Sequence, residues 1–248
     1  MKRIQFTPFF GLDVVCSKRE TIDDFLSDCL KRNKKIKITT MNAQIAYYYL
    51  NDESAAKAIM DTIVIPDGTG LSWALDRLNG ISIERYPGVE IMYRLCQISA
   101  SLSEKAFILG GLEGVAQKAA IHLKEKTGVE ISGCRNGYFD FEKDSPDICD
   151  CIKTSQAKIL FVGLGAPRQE KWIERFFEYT GCTIAIGVGG SLDIYAQTAK
   201  RAPKWVQKAN LEWLYRILQH PVQKFKVIFQ IMSFIQYVLR SKKRQSKK

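Results

Sequence analysis

The chain has 248 residues, of which 46% are hydrophobic and 25% are charged, so it can bury a full core and is not an intrinsically disordered chain. The formal net charge is +11, and residues 200–248 hold 13 Lys and Arg against one acid, Glu212. The basic character therefore belongs to the C-terminal segment and not to the chain as a whole.

Short β-rich runs alternate with helical stretches, which predicts an α/β fold with a mostly parallel, Rossmann-like sheet flanked by helices. The predicted strands are 36–40, 62–66, 106–110, 129–133, 158–163 and 183–188. The predicted helices are 42–60, 69–79, 88–102, 113–127, 168–180 and 203–219, followed by a basic apolar helix after Pro221. We assign residues 1–221 to one α/β domain and residues 222–248 to a C-terminal appendage.

The centre of this appendage, residues 227–239, has no charged residue and is mostly large and apolar, with Gln230, Ser233 and Gln236 as a polar stripe. At about 1.5 Å per residue it reaches only ~20 Å, short of the ~30 Å hydrocarbon core of a bilayer. Lys and Arg on both sides favour anionic headgroups. We expect the appendage to lie on a membrane surface; the alternative is a helix packed on the core with a basic tail.

The sequence indicates neither a leader peptide nor a metal site. Polar residues and Pro8 interrupt the N-terminal stretch where a signal peptide would have its apolar core, which predicts a cytoplasmic protein. The seven cysteines lack the spacing of a zinc or iron–sulfur site, although Cys149 and Cys151 come closest. We expect neither a metal nor a cofactor.

Polar and glycine residues follow five of the predicted strands. Ligands of open α/β sheets bind beyond the carboxyl ends of the strands, where loops meet helix N-termini. We therefore expect the five loops to converge on one crevice. Their residues are Thr40 and Asn42, Asp67 and Gly68, Gly110 and Gly111, Gly163 to Glu170, and Gly187 to Asp193.

Asp67 stands in the run PDGTG, directly after a predicted strand. A carboxylate at a strand end, beside glycines that let a ligand come close to the backbone, is suited to act as a general base. Asp at this position is equally suited to capping the helix that follows. The local pattern leaves both roles open.

The first of two glycine-rich turns contains Gly163 and Gly165 and is suited to cradling a diphosphate. A dinucleotide-binding fingerprint has a third glycine where this chain has Arg168, which argues against NAD binding. Arg168 and Gln169 suit contacts to phosphate or sugar, and the alternative for Arg168 is a solvated residue at a helix start.

The second turn contains Gly187, Gly189 and Gly190, whose backbone amides are suited to binding uridine or phosphate oxygens. Asp193 follows it. Two roles stay open for this carboxylate, since it can orient a sugar hydroxyl or cap the next turn.

A series of short motifs occurs in order along the chain: TMN (40–42), PDGTG (66–70), FILGG (107–111), GYF (137–139), VGLGAPRQEKW (162–172), GVGGSLD (187–193), RAPKW (201–205) and LEWLYR (211–216). Over about residues 10–221 this series resembles the WecG/TagA/CpsF glycosyltransferase family. The chain departs from the usual pattern after Gly88, where it has Val89 and Glu90 instead of an Asp.

The resemblance implies inverting transfer of N-acetylmannosamine or a related hexose from a UDP-sugar to an undecaprenyl-diphosphate-linked N-acetylglucosamine, in cell-surface polysaccharide or teichoic acid biosynthesis. It implies that Asp67 is the base, that Thr40, Asn42 and Gln169 line the same pocket, and that no metal is essential. Basic residues near the C-terminus are implied to close over the diphosphate, and Arg201 and Arg216 are the candidates. The chain has no Asp-x-Asp pair, the usual manganese handle of nucleotide-sugar transferases.

The partners implied are the UDP-sugar, the lipid-diphosphate acceptor and an anionic membrane at the inner face of the cell membrane; a homo-oligomer is compatible with the sequence. Two other classes stay open, namely a Rossmann-type nucleotide-binding oxidoreductase and a basic nucleic-acid-binding protein. The missing third glycine argues against the first. The aliphatic stretch between the basic clusters, where stacking aromatic or polar residues would be needed, argues against nucleic acid as a partner.

Overall fold

The computed structural model describes residues 3–209, 211–219 and 221–245, which form an α/β structure around one eight-stranded sheet. The strands are β1 (Phe6–Phe9), β2 (Leu12–Val15), β3 (Ile36–Met41), β4 (Ile63–Pro66), β5 (Lys105–Gly110), β6 (Glu130–Arg135), β7 (Ile159–Gly163) and β8 (Ile184–Gly187). They lie in the order β1-β2-β4-β3-β8-β7-β5-β6, and only the β1–β2 pair is antiparallel. The predicted α/β fold with a mostly parallel sheet is confirmed.

Helices cover both faces of this sheet. They are α1 (Arg19–Lys31), α2 (Ala43–Asn51), α3 (Glu53–Met60), α4 (Thr69–Asn79), α5 (Gly88–Ser101), α6 (Val115–Thr127), α7 (Ser145–Thr154), α8 (Arg168–Phe176), α9 (Ser191–Tyr195), α10 (Lys204–Lys208), α11 (Glu212–Gln219) and α12 (Pro221–Gln245). Helices α1, α5, α6 and α9 share one core with the sheet, and the remaining long helices pack against its other face.

Strands β7 and β8 are apolar along their whole length because both of their faces are covered. In β7, Ile159 and Phe161 pack under α5 and α6, while Leu160 and Val162 point to the opposite core beside α7 and α8. Successive side chains of a strand alternate between the faces of the sheet, so a continuous apolar run is what a strand buried on both sides requires.

The six predicted strands are all present, and the helices differ in detail. The predicted helix 42–60 is two helices, since Asp52 is extended between them and caps α3 by accepting from the amide of Ala55. The β1–β2 hairpin and helices α1 and α7 were not predicted. Pro8 lies on the edge strand β1, where a missing N–H is tolerated.

Helix α12 packs one of its faces on the core. Phe234 and Val238 are buried in the cluster beneath α2 and α4, and the ring centroid of Phe234 lies 6.3 Å from that of Phe9. Gln230 accepts a hydrogen bond from Gln44 Nε2 (3.0 Å) and donates one to the hydroxyl of Tyr48 (2.9 Å). The predicted polar stripe is therefore divided, with Gln230 against α2 and Gln236 exposed.

The opposite face of α12 is exposed and largely apolar. Among the residues that the structure describes, no helix is both long enough and apolar enough to cross a membrane. The exposed apolar side chains, named below as the outward face, are Phe225, Ile228, Phe229, Met232 and Leu239.

Candidate active site

Five loops with the predicted site residues follow five neighbouring strands, β4, β3, β8, β7 and β5. Because these strands are parallel, their carboxyl ends lie at one edge of the sheet, named here the site edge. The ends are in register across this edge, with Met41 opposite Pro66, Thr39 and Val162 both opposite Gly187, and Gly110 opposite Gly163.

Asp67 is half-buried at the end of β4, and its backbone amide donates to the carbonyl of Met41 (2.9 Å). Its Oδ1 accepts from the amide of Gly88 (2.8 Å), the first residue of α5. The N-cap of α4 is Gly68, which makes no side-chain hydrogen bond. Asp67 therefore holds the N-terminus of α5, 21 positions along the chain. The positive end of the α5 dipole stabilises a carboxylate at this point.

Asn42 caps α2, because its Oδ1 accepts from the amides of Gln44 (2.9 Å) and Ile45 (3.1 Å). These contacts fix the side chain and commit the oxygen to the helix, so Nδ2 is the group that it can offer to a ligand. A Cβ at Gly68 would lie 3.0 Å from the Cβ of Asn42. The absence of a side chain at Gly68 thus lets the loop that bears Asp67 pack against the start of α2.

Thr40 is buried and joins two strands of the site edge. Its hydroxyl donates to the carbonyl of Gly187 (2.9 Å) at the end of β8. A Cβ at Gly88 would lie 3.2 Å from Thr40 Oγ1, so the start of α5 packs directly over this hydroxyl. Asp67 and Thr40 are therefore neighbours of the same short segment, the first turn of α5.

Gln169 lies at the start of α8 and is 2% exposed. Its Oε1 accepts from the amide of Gly189 (3.1 Å), and its Nε2 donates to Glu170 Oε1 (2.8 Å). A Cβ at Gly187 would lie 2.7 Å from Gln169 Nε2. This one amide thus ties the start of α8 to the glycine turn after β8.

Arg168 holds a loop of the protein. Its Nη1 donates to the carbonyl of Gly137 (2.7 Å) and its Nη2 to that of Phe139 (2.8 Å), while its guanidinium carbon lies 4.7 Å from the Phe139 ring centroid. The side chain is therefore not simply solvated, since it holds the loop after β6, and its predicted contact with phosphate or sugar stays a prediction. That loop in turn touches the glycine turn after β5, since Gly137 donates to the carbonyl of Gly111 (2.8 Å).

The contacts of Asp193 agree with the second of its two predicted roles, and its contact with a sugar hydroxyl stays a prediction. Its backbone carbonyl accepts from the amides of Thr198 and Ala199, both at 3.0 Å, and its Oδ1 accepts from the Thr198 hydroxyl (3.4 Å). The carboxylate thus stabilises the turn after α9. Its neighbour Leu192 packs closely against the glycine turn after β7, because a Cβ at Gly163 would lie 2.3 Å from Leu192 Cδ1.

Arg201 belongs to an ion-pair network that ties the RAP loop to α5. It bonds Glu90, in the first turn of α5, and Glu212 of α11 (3.3 Å). Burial alone would raise the pKa of Glu90, but the hydrogen bond from Arg201 and the charges of Arg201 and Arg19 outweigh it and hold this pKa below its usual value. The side chain of Arg216 lies outside the described part of the structure.

Two further cations of this network, Arg19 and Arg85, were not predicted. Arg19 bonds Glu90 (2.6 Å), and Arg85 lies 3.6 Å from Glu212 and donates to the carbonyl of Gln207 (3.0 Å). Arg85 directly precedes Tyr86, whose amide donates to the carbonyl of Pro66. Its place in the basic stretch before Gly88 was the only sequence signal for it.

Glu170, the last residue of the predicted loop after β7, has a perturbed carboxyl, and the sequence predicted no particular role for it. It is 2% exposed, and burial raises its pKa from 4.5 to about 7, against the hydrogen bond from Gln169, which lowers it. Its Oε2 is buried without a hydrogen-bond partner. The sequence signal was weak, since Glu in the first turn of a helix is commonly solvated.

The stability of the protein should depend on pH through Glu170. A folded-state pKa above the unfolded one favours the folded state at low pH, and this contribution is lost as the pH rises through about 7. We expect the Glu170→Gln variant to gain about 2 kcal/mol over the wild type between pH 5 and pH 8, since glutamine cannot ionise. Urea unfolding of both proteins at the two pH values measures this difference; a constant difference would contradict it.

Within residues 3–209, 211–219 and 221–245, no three His, Cys, Asp or Glu side chains are grouped so that they could hold a metal ion. Cys149 is buried in the core beside Phe176, and Cys151 is exposed. The two thiols therefore do not form a common site.

An open, mostly parallel sheet with glycine turns and one oriented carboxylate at its carboxyl edge is the arrangement in which α/β enzymes bind their ligands. Residues 7–248 match the family described as the glycosyl transferase WecG/TagA/CpsF family. The chain belongs to this family, as its motifs predicted. Neither the oxidoreductase nor the nucleic-acid-binding alternative gains support from this match.

Similar proteins with curated names occur in Staphylococcus aureus. Those of strains NCTC 8325 / PS 47 and COL are 33% identical to this chain over 182 residues, which is 73% of this chain and 71% of theirs. The protein of strain MRSA252 is 32% identical over the same shares. Each is named N-acetylglucosaminyldiphosphoundecaprenol N-acetyl-beta-D-mannosaminyltransferase.

Proposed function

We propose that this chain transfers N-acetylmannosamine, or a related hexose, from a UDP-sugar to an N-acetylglucosamine carried on undecaprenyl diphosphate, with inversion. Family membership supports the glycosyltransferase activity, and the names of the S. aureus relatives support the sugar and the acceptor. The UDP donor is supported by the two glycine turns at the site edge and by the motif resemblance. The product would serve cell-surface polysaccharide or teichoic acid biosynthesis.

One observation carries the proposal. A continuous line of contacts links the proposed base to both glycine turns: Asp67 accepts from Gly88, Gly88 packs on Thr40, Thr40 donates to Gly187, and Gln169 accepts from Gly189. A base and a diphosphate-binding turn must lie this close together, because the bond that forms and the bond that breaks share the anomeric carbon.

In the proposed reaction an acceptor hydroxyl oxygen attacks the anomeric carbon, and the bond from that carbon to the β-phosphate oxygen of UDP breaks. Asp67 takes the hydroxyl proton, and attack opposite the leaving group inverts the anomeric centre. UDP departs with additional negative charge. Backbone amides of the turn from Gly187 to Gly190 are the groups that we expect to balance this charge.

The proposal is tested with the full chain, a panel of UDP-sugars and a short-chain lipid-diphosphate N-acetylglucosamine. Mass spectrometry should show addition of one N-acetylhexosamine from UDP-N-acetylmannosamine, and proton coupling at the new anomeric centre should show inversion. A lack of product with every donor, together with a lack of UDP binding, would contradict the proposal. Titration with NAD(H) and a gel shift with nucleic acid are comparators, and both should be negative.

We further propose that α12 and the residues after it rest on an anionic membrane surface. The outward face of α12 supplies apolar area, and Lys226, Arg240 and Lys243 are exposed along the same helix. An interfacial helix binds by burying such a face while its cations meet lipid headgroups. The acceptor is itself a membrane lipid, so this placement would bring the site edge to its substrate.

Replacing Phe225 and Phe229 with Glu should weaken binding to vesicles of anionic lipid by about a hundredfold, since each Phe contributes roughly 1.5 kcal/mol or more on burial. Both side chains are exposed, at 72% and 65%, so folding should be retained. Vesicle flotation measures the loss. Tyr179→Glu is the matched control, because Tyr179 is 66% exposed just before β8, at the opposite edge of the sheet. Equal loss in both variants, or undiminished binding in the double variant, would refute the membrane role.

A further inference from the structure

Glu170 combines full burial with an incomplete set of hydrogen bonds. Its Oε1 accepts from Gln169 Nε2 (2.8 Å), and its Oε2 is buried without a partner. Buried polar atoms in native proteins are nearly always paired, and an unpaired one costs roughly 1–3 kcal/mol. An apolar side chain of the same length would avoid this cost. The cost calls for a function that only an acceptor at this position can perform.

That function is visible in the orientation of the Gln169 amide. A glutamine amide can be turned over with little change in shape, and only its neighbours decide which end is the oxygen. The amide of Gly189 is a donor and requires the oxygen at one end, while Glu170 Oε1 accepts at the other. The reversed amide would place Nε2 against the N–H of Gly189. Glu170 and Gly189 together therefore specify one orientation.

The orientation of Gln169 in turn shapes the glycine turn after β8. Gly189 has a left-handed backbone with φ +46, and its amide is held by Gln169. Gly187 lies so close to Gln169 Nε2 that a Cβ would be 2.7 Å from it. The carbonyl of Gly187 accepts from Thr40. A displacement of Gln169 would thus shift the backbone of the whole turn and the hydrogen bond from Thr40.

We propose that Glu170 is a positioning residue, whose buried Oε1 fixes the Gln169 amide and through it the shape of the Gly187–Gly190 turn that binds the donor diphosphate. The inference rests on the proposed function for the identity of the ligand only. Glu170 itself is shielded from substrate, since its side chain lies beneath Gln169 and has no solvent-exposed oxygen that could reach a ligand. Its effect on the reaction is therefore indirect.

Two variants separate positioning from packing. Glu170→Met keeps the length of the side chain and removes the acceptor oxygen, whereas Glu170→Gln keeps an oxygen that can accept from Gln169. We expect Glu170→Met to melt near the wild-type temperature, because loss of the unpaired Oε2 offsets the cost of leaving Gln169 Nε2 without its acceptor, and yet to bind UDP about tenfold more weakly. Glu170→Gln should bind UDP within about twofold of the wild type. Calorimetric UDP titration and thermal melting measure both properties.

Steady-state kinetics and amide exchange complete the test. In Glu170→Met the KM for the donor should rise with the UDP dissociation constant, and kcat should change less. Hydrogen exchange at the amide of Gly189 should accelerate in Glu170→Met and stay unchanged in Glu170→Gln. This readout needs no ligand, so it tests the inference even if the wild type fails to bind UDP and the proposed function falls.

Three results would overturn the inference. Wild-type UDP affinity together with wild-type exchange in Glu170→Met would show that the acceptor is dispensable. Equal losses in both variants would show that acceptance from Gln169 is not what matters. A fall in melting temperature that matches the loss of affinity in Glu170→Met would assign Glu170 to packing alone.

Discussion

Asp67→Asn should lower kcat by a factor of about 100 to 10,000, the range of general-base catalysis, and leave the affinity for UDP close to that of the wild type. Asparagine keeps an oxygen that can accept from the amide of Gly88, so the cap of α5 is retained. It cannot take up a proton at neutral pH. The variant therefore removes the proposed base and preserves the structure around it, and single-turnover rates with a UDP-sugar measure the effect.

Asp52→Asn is the matched control, since Asp52 also caps a helix through one carboxylate oxygen. It accepts from the amide of Ala55 and pairs with Lys171 of α8 (2.9 Å), and we assign it no part in the reaction. The hydrogen bonds from Ser54 and Lys171 lower the pKa of Asp52 to about 2. This variant should lose some stability and no turnover. Wild-type turnover in Asp67→Asn would remove Asp67 from the mechanism, and loss of UDP binding there would make it a structural cap only.

The six predicted strands were predictable because each is a short run rich in β-forming residues, separated from the next by a helical stretch. The ends of β5 and β7 fall within one residue of the predicted ones. Helix α1 could also have been predicted from the sequence, since its apolar residues recur at helical spacing. These buried residues are Ile22, Leu26, Cys29 and Leu30. The β1–β2 hairpin could not be predicted from the sequence, because its turn uses Phe10 and Gly11. Both have positive φ, and Phe is an unusual residue in such a turn.

The position of the site edge was predictable from the sequence, and the contacts of its side chains were not. Parallel strands bring their carboxyl ends together whatever the helices do, which is why five loops identified in the sequence share one edge. The partner of Asp67 is the amide of Gly88, and that contact depends on how α5 packs across the sheet. The direction of Arg168 depends likewise on the loop at Gly137. The spacing of residues in the sequence carries no information on either of these two contacts.

Charged residues are the hardest to place from sequence alone. Glu170 stands in a highly polar helix, and yet its side chain is buried. The role of the cysteines is also hard to predict from their spacing in the sequence. Cys149 and Cys151 come closest to a metal-binding spacing in the sequence, and Cys149 is a buried core residue of α7. Local pattern predicts which residues form an element, and tertiary contacts decide what each polar group does.

Gly110→Ala should prevent folding or cost roughly 3 kcal/mol or more of stability, because it adds both a steric clash and backbone strain. A Cβ at this position would lie 2.4 Å from the carbonyl oxygen of Gly163, and the glycine has φ +141, a conformation that other residues rarely adopt. The carbonyl of Gly163 cannot easily move away. It accepts from the amide of Gly111 (3.1 Å) and ends strand β7. Urea unfolding at neutral pH measures the loss.

The matched control is Gly114→Ala, a second glycine with positive φ (+78), where an added Cβ would meet no atom within 4 Å. It should cost only the left-handed penalty of about 1–2 kcal/mol. The additional loss of unfolding free energy in Gly110→Ala, relative to Gly114→Ala, measures the close approach of β5 to β7. This approach joins two of the five loops at the site edge. If the two variants were equally stable, the site edge would tolerate separation of these strands, and the glycines after them would be explained by turn geometry alone.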